Sequence, residues 1–154
     1  MMTTQTAMPA AGRSLAELRA SDIMQADVRT VHLEAPLMHA ARVMGEHGIR
    51  HLVVTDTFGR PIGVFSERDM LRHIASCAAR GHIVPGRIPV RDVMSQTPVT
   101  VAPDEPLPHV AAVLAANKIG CVPVTDKQGV LVGIVSVVDV LRSVAATASA
   151  AAGV

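Results

Sequence analysis

The chain carries short apolar runs that suit buried strands and longer stretches in which apolar residues recur at helical spacing. Proline or serine stands where each long helix should begin, and Gly48 closes the first of them. The pattern up to Ala79 predicts a strand around 29–33, a helix over 37–47, strands over 51–55 and 61–65, and a helix over 67–79.

The same pattern returns 70 residues later without a gap. It predicts a strand over 99–101, a helix over 107–118, a hairpin over 121–136 and a helix from 137 to about 148. Many residues are identical between the copies, and these include the pairs Asp22/Asp92, Met24/Met94, Thr30/Thr100, Gly63/Gly133, Ser66/Ser136 and Asp69/Asp139. An ungapped duplication of this length is not chance, so the chain is two copies of one β-α-β-β-α unit.

The fold class predicted is α/β (α+β), with two pseudo-symmetric repeats. A unit of about 50 to 60 residues is marginal alone, so we expect the repeats to share one core. Ser14 should cap a lead-in helix over 15–20, with Glu17 in the capping-box position. The expected divisions are a disordered tail (1–13), the first repeat with its lead-in helix (14–80), a linker rich in Gly and Pro (81–91), the second repeat (92–148) and a frayed tail (149–154).

Each copy contains a Ser-x-x-Asp motif in which a buried strand turns directly into a helix. Ser66 and Ser136 stand at the helix N-cap, and Asp69 and Asp139 fall in the first turn. Backbone N–H groups and the helix dipole favour an anion there, and a hydroxyl beside a carboxylate suits a phosphate and a sugar diol. A capping box without any ligand explains one copy equally well, but two copies in register favour a site.

Composition excludes several classes of protein. The formal charge is +1 and the chain has two Phe, no Tyr and no Trp, so neither the charge nor the aromatic platforms of nucleic-acid binding are present. Hydrophobic residues make up 49% of the chain, yet no apolar run approaches the roughly 20 residues that a membrane span needs. The first residues do not resemble a signal peptide, so we expect a cytoplasmic protein.

Catalytic and metal-binding patterns are weak. The sequence has no paired acids, nucleophile elbow or Walker loop, so we expect no enzyme. The seven His residues do not combine with Cys77 or Cys121 at metal-ligand spacing, so we expect no metal site. Cys121 is interpreted as a small buried hydrophobe rather than a reactive thiol.

From Asp22 to Arg142 the chain resembles a tandem pair of CBS domains, known as a Bateman module. The resemblance rests on Thr-Val, Pro-Leu, a helix, Ile-Gly-Cys-Val-Pro-Val-Thr-Asp and Gly-Ile-Val-Ser-x-x-Asp, much of which occurs twice. It implies a stand-alone, bacterial-type regulatory protein that binds adenosine-containing nucleotides in two clefts between the repeats. The Asp of Ser-x-x-Asp would hold the ribose, and basic residues before a strand of the other repeat would hold the phosphates.

Carried onto this sequence, the resemblance implies one cleft at Asp139 and a second at Asp69. The first would use Thr100, Ile119, Gly120, Cys121, Pro123, Val135, Ser136 and Asp139, with Arg50 and His51 on the phosphate and the base between Ile119 and Val135. The second would use Thr30, Ile49, Arg50, His51, Ser66, Arg68 and Asp69. Val53 replaces the usual Pro there, and Gly120 and Cys121 supply no cation, so we expect the Asp139 cleft to bind better. Arg50 and His51 as solvated residues at a strand entrance are the alternative.

Two hypotheses remain for function. The first is a sensor that binds AMP, ADP, ATP, NAD or S-adenosylmethionine as a regulatory ligand, with no cofactor required, and signals to a protein partner. The second is a structural dimer or scaffold with vestigial clefts. In either case the apolar positions of the helices after Ser66 and Ser136 predict a homodimer, with no nucleic-acid or membrane partner.

Overall fold

The computed structural model of the chain describes residues 13–82 and 87–151. The expected tail residues 1–12 and the end of the chain after Ala151 lie outside these ranges. The elements are α1 (Ala20–Ile23), β1 (Thr30–His32), α2 (Leu37–His47), β2 (His51–Thr55), β3 (Pro61–Ser66), α3 (Glu67–Ala79), β4 (Ser95–Gln96), α4 (Leu107–Asn117), β5 (Cys121–Thr125), β6 (Leu131–Ser136) and α5 (Val137–Ala151).

The long elements confirm the predicted mixed fold of two β-α-β-β-α repeats. Helix α2 buries Leu37, Ala40 and Met44, which its helical spacing places on one face. It ends at Gly48, whose φ of 62° is the left-handed conformation that glycine adopts readily. In the second repeat, Lys118 adopts the same conformation at the equivalent position, with φ 54°.

Four expected boundaries were wrong. The lead-in helix over 15–20 is instead a 3-10 turn, Leu15–Glu17, followed by the separate helix α1. The expected strand over 99–101 is reduced to a single bridge between Val101 and Val124. Arg13 is not part of a disordered tail, because its guanidinium binds the Asp22 carboxylate at 2.8 Å. Helix α5 continues to Ala151, so residues 149–151 are helical.

The chain divides into two units that do not follow the sequence repeats. Among the described residues, one unit lies within 29–98, and in the other residues 13–28 join residues 99–151. The lead-in of the first repeat is therefore hydrogen-bonded to the second repeat: Ala20 N–H donates to Glu105 O at 2.9 Å and Leu107 N–H to Leu18 O at 2.9 Å. In the other unit, Val90 N–H donates to Ala35 O at 2.8 Å and Leu37 N–H to Ile88 O at 2.7 Å.

Each unit has a buried cluster of its own. In the unit of the second repeat, Leu18, Ala20 and Ile23 of the lead-in pack with core residues of α4, β5 and β6. In the other unit, Val90 of the equivalent segment packs with residues of α2, β2 and β3. The exchanged lead-in supplies apolar area that a repeat of this size lacks by itself.

The sheets follow one plan. Strands β1 and β2 are parallel, β2 and β3 antiparallel, and β4, which the sequence analysis missed, completes a sheet of order β1-β2-β3-β4. In the other unit β5 and β6 form the hairpin, the Val101 bridge takes the place of β1, and a bridge between Gln25 and Ile134 takes that of β4.

Among the described residues, no helix is long and apolar enough to span a bilayer.

Candidate ligand sites at two Ser-x-x-Asp junctions

The second-repeat site lies where β6 ends and α5 begins without an intervening loop. Asp139 folds back on Ser136: its Oδ2 accepts the Ser136 N–H at 2.8 Å and the Ser136 hydroxyl at 2.6 Å. The Asp139 N–H donates in turn to Ser136 Oγ at 3.3 Å. The predicted N-cap is therefore present, and it commits one carboxylate oxygen to the cap.

The other oxygen of Asp139 faces donors. Gln25 Nε2 donates to Asp139 Oδ1 at 3.3 Å, and a guanidinium nitrogen of Arg142 lies 3.9 Å from it. The Asp139 residue is only 3% exposed. A nearly buried carboxylate with one oxygen in the cap and the other facing polar hydrogens is suited to accept hydroxyl groups.

The first-repeat site repeats this geometry between β3 and α3. Asp69 Oδ2 accepts the Ser66 N–H at 2.9 Å and the Ser66 hydroxyl at 2.6 Å, and Arg72 lies 4.0 Å from Oδ1. Asp69 is 7% exposed. Within the described residues, Ser66 is the hydrogen-bond partner that holds its side chain.

In each unit the segment that enters the hairpin lies beside the Ser-x-x-Asp motif. The Glu67 N–H donates to Arg50 O at 3.2 Å, and the Val137 N–H donates to Gly120 O at 3.0 Å. Antiparallel pairing sets His51 opposite Ser66 and Cys121 opposite Ser136. The structure thus brings Arg50 and His51 to the Ser66 junction, and Gly120 and Cys121 to the Ser136 junction.

Of the two predicted threonines, Thr30 lies on β1 and Thr100 precedes the Val101 bridge that takes the place of β1 in the other unit. Thr30 pairs with Val53, and the bridge at Val101 places Thr100 next to the equivalent position, Pro123. Both threonines are exposed, as are Arg50, Arg68 and Gly120, while Ile49, His51 and Ile119 are half-buried. Cys121 and Pro123 are buried, and a buried Cys121 agrees with its interpretation as a small hydrophobe.

Val135 differs from the expectation that it flanks a base. Its side chain is completely buried in the core of its unit. Because alternate residues of a strand face opposite sides, Ile134 shares the face of Ser136 instead. Ile134 is half-buried and was missed, although counting back two residues from Ser136 finds it.

His51 is less suited to carry charge than the sequence analysis assumes. Burial, reinforced by the neighbouring Arg50 guanidinium, holds the pKa of His51 below its ordinary value of 6.5, against the opposing pull of Asp69 and Glu67. The imidazole is therefore neutral at pH 7 in the absence of a ligand, and the exposed Arg50 is the permanent cation of this segment.

The described residues hold no group of three or more His, Cys, Asp or Glu side chains arranged to bind a metal ion. One pair of such side chains lies on α3, where Cys77 Sγ is 3.5 Å from His73 Nε2. This pair is one helical turn apart and does not belong to the Ser-x-x-Asp sites.

Comparison with known families decides what kind of unit this is. The CBS domain family matches residues 20–76 and again residues 90–146. The chain belongs to the CBS domain family. It is a tandem CBS pair, which confirms the resemblance found in the sequence.

Known proteins of several kinds are similar to it. The chain is 29% identical over 121 residues to an L-aspartate semialdehyde sulfurtransferase of Methanocaldococcus jannaschii, covering 79% of this chain but only 22% of that protein. It superposes on the CBS domain pair of protein MJ0100, solved with 5′-methylthioadenosine and S-adenosyl-L-methionine, with a TM-score of 0.70 and 30% identity, over 81% of this chain and 98% of the other. For the protein CBSX2, solved with AMP, the TM-score is 0.71 and the identity 25%, over 82% and 96% of the two chains.

Proposed function

We propose that this CBS pair is a non-catalytic sensor that binds an adenosine-containing ligand through Asp139 and Asp69 and passes its occupancy to a protein partner. The observation that carries the proposal is the state of the two carboxylates. Each is nearly buried, and each has one oxygen fixed by the Ser cap and the other outside the cap, about 4 Å from an arginine of the next helical turn. This is an acceptor set for the hydroxyl groups of a ribose.

The bound molecules of two similar structures support the ligand class. S-adenosyl-L-methionine, 5′-methylthioadenosine and AMP share an adenosine and differ beyond its 5′ carbon. The candidates for this chain are therefore AMP, ADP, ATP, NAD and S-adenosylmethionine. Arg50 and His51 remain our proposed phosphate contacts, with Arg50 supplying the charge and His51 a neutral hydrogen-bonding group.

A thermal-shift panel of these five ligands is the first test. A ligand that binds only the folded protein raises the melting temperature, by an amount that grows with its concentration above Kd. A shift with at least one of them is expected. No shift with any of them at millimolar concentration favours the alternative, a scaffold whose CBS clefts are vestigial.

Calorimetric titration of Asp139→Ala and Asp69→Ala assigns the sites. Removing Asp139 deletes charge-assisted hydrogen bonds worth roughly 1.5–3 kcal/mol each, partly replaced by water. We expect a loss of about 2–4 kcal/mol, or roughly 30- to 1000-fold in affinity for adenosine. Asp69→Ala should have the smaller effect. If Asp139→Ala stays folded and binds like the parent, the ribose assignment is wrong.

Arg50→Ala separates phosphate from ribose recognition in the same titrations. Because Arg50 is exposed and acts on the phosphate alone, AMP should lose far more affinity than adenosine. Arg60→Ala, which removes an exposed arginine from the turn between β2 and β3, is the matched control. Equal losses for AMP and adenosine contradict the phosphate role of Arg50.

A further inference from the structure

Gln25 reaches Asp139 from a distant part of the sequence. It precedes β1, yet its Nε2 donates to Asp139 Oδ1 at 3.3 Å, across 114 residues of chain. The contact exists because the lead-in of the first repeat is paired with β6: Gln25 N–H donates to Ile134 O at 2.9 Å and Ile134 N–H to Gln25 O at 3.0 Å. The backbone of Gln25 is thus paired with Ile134, two residues before Ser136, and its side chain reaches the Asp139 carboxylate.

The Gln25 amide occupies the oxygen that a ligand needs. A carboxylate oxygen offers about two lone-pair sites, and Asp139 Oδ2 already accepts both the N–H and the hydroxyl of Ser136. The hydroxyls of a ribose are therefore directed to Oδ1, where Gln25 donates. A ligand at this site has to displace the Gln25 amide or share Oδ1 with it.

The first repeat lacks this competitor. Ser95 stands at the position equivalent to Gln25 and pairs with Val64 of β3 as Gln25 pairs with Ile134. Its side chain ends one atom beyond Cβ, and among the described residues Asp69 receives its side-chain hydrogen bonds from Ser66. The two otherwise matching sites therefore differ in whether an amide caps the ligand-facing oxygen.

We infer that Gln25 is a specificity-determining residue that lowers the affinity of the Asp139 site by competing with the ligand diol for Oδ1. The inference rests on the proposed function, because it assigns the competition to a ribose. This competition makes the affinity of the Asp139 site depend on the lead-in segment 15–28, which carries Gln25. Loss of the amide should tighten binding, whereas a residue that merely supports the site would weaken binding when removed.

Calorimetry in an Asp69→Ala background isolates the Asp139 site. Gln25→Ala and Gln25→Met both remove the donor, and Met keeps most of the side-chain volume, so a shared effect is chemical rather than a packing defect. Each should bind adenosine roughly 3- to 10-fold more tightly than the background protein, the scale of one long hydrogen bond to a charged group. Binding of 2′,3′-dideoxyadenosine, which lacks the diol, should not change. Unchanged or weaker adenosine binding by both variants overturns the competition.

The reciprocal change uses the other site. In an Asp139→Ala background, Ser95→Gln should place an amide at Asp69 and weaken adenosine binding there by a similar factor. Gln25→Ala in this background should leave adenosine affinity unaltered, because its target carboxylate is absent. An effect of Gln25→Ala without Asp139 contradicts the inference. If the Asp69→Ala protein binds no adenosine at all, the proposed function of the Asp139 site fails first, and the two failures are thereby distinguished.

Discussion

At the scale of single residues, the folded environment of His51 changes its protonation. Burial and Arg50 hold the pKa of His51 below 6.5, so the folded chain resists a proton that the unfolded chain accepts. The stabilising contribution is complete above about pH 6.5 and is lost as the pH falls through the folded pKa. A fall in pH below neutrality should therefore lower the free energy of unfolding, because the unfolded chain gains a proton at His51 more readily than the folded chain.

Replacement with glutamine tests this effect. The free energy of unfolding of the parent should fall more between pH 7.5 and 5.5 than that of His51→Gln, because glutamine binds no proton in this range. Urea denaturation at several pH values measures the difference in slope. His47→Gln, which changes an exposed histidine at the end of α2, is the control. Parallel pH profiles for the parent and His51→Gln would rule out this linkage.

At the scale of elements, the close packing of each lead-in on its sheet depends on a glycine. A Cβ on Gly133 would lie 2.9 Å from Met24 Cγ, and one on Gly63 would lie 3.0 Å from the backbone oxygen of Ser95. Both contacts are closer than real Cβ atoms tolerate without movement of the neighbour. The identical glycines and methionines of the two repeats therefore belong to one packing arrangement.

We expect Gly133→Ala and Gly63→Ala each to lower the free energy of unfolding by about 1–3 kcal/mol, the usual cost of overpacking. Gly45→Ala is the control, since a Cβ there meets nothing within 4 Å and alanine is the better helix former. That change should stabilise α2 by roughly 0.5–1 kcal/mol. Denaturant titration measures all three variants. An unchanged free energy of unfolding for Gly133→Ala would mean that the lead-in moves away from the added Cβ without loss of stability.

At the scale of the whole molecule, each unit exposes an apolar row on its long helix. Leu71 is 63% exposed on α3 and Leu141 60% exposed on α5, beside Ile74 and Val144 at matching positions. Met70 and Val140, which are also apolar positions of these helices, pack against the cores instead. Soluble monomers rarely leave such apolar rows exposed to solvent.

We therefore predict a homodimer joined through α3 and α5. Light scattering at micromolar concentration should report twice the chain mass for the parent and a monomer for the Leu71→Glu/Leu141→Glu variant, because charges in the interface are costly to desolvate. Phe58→Glu changes an exposed aromatic on the turn after β2 and should leave the dimer intact. A monomeric parent contradicts this assembly.

The sequence by itself determined the features that depend on neighbours in the chain. The two hairpins, the long helices and the Ser136–Asp139 cap follow from spacing over a few residues, and the duplication supports each of these assignments twice. The position of residues 119–121 near Asp139 could also be predicted from the sequence, because a short antiparallel hairpin sets Cys121 opposite Ser136.

Only the tertiary structure decided which repeat each lead-in joins. The sequence places residues 14–28 before the first repeat, but hydrogen bonds such as Ala20 N–H to Glu105 O attach them to the second. Gln25 meets Asp139 and Met24 covers Gly133 for the same reason. These contacts join residues far apart in the chain, and local periodicity carries no information about such contacts.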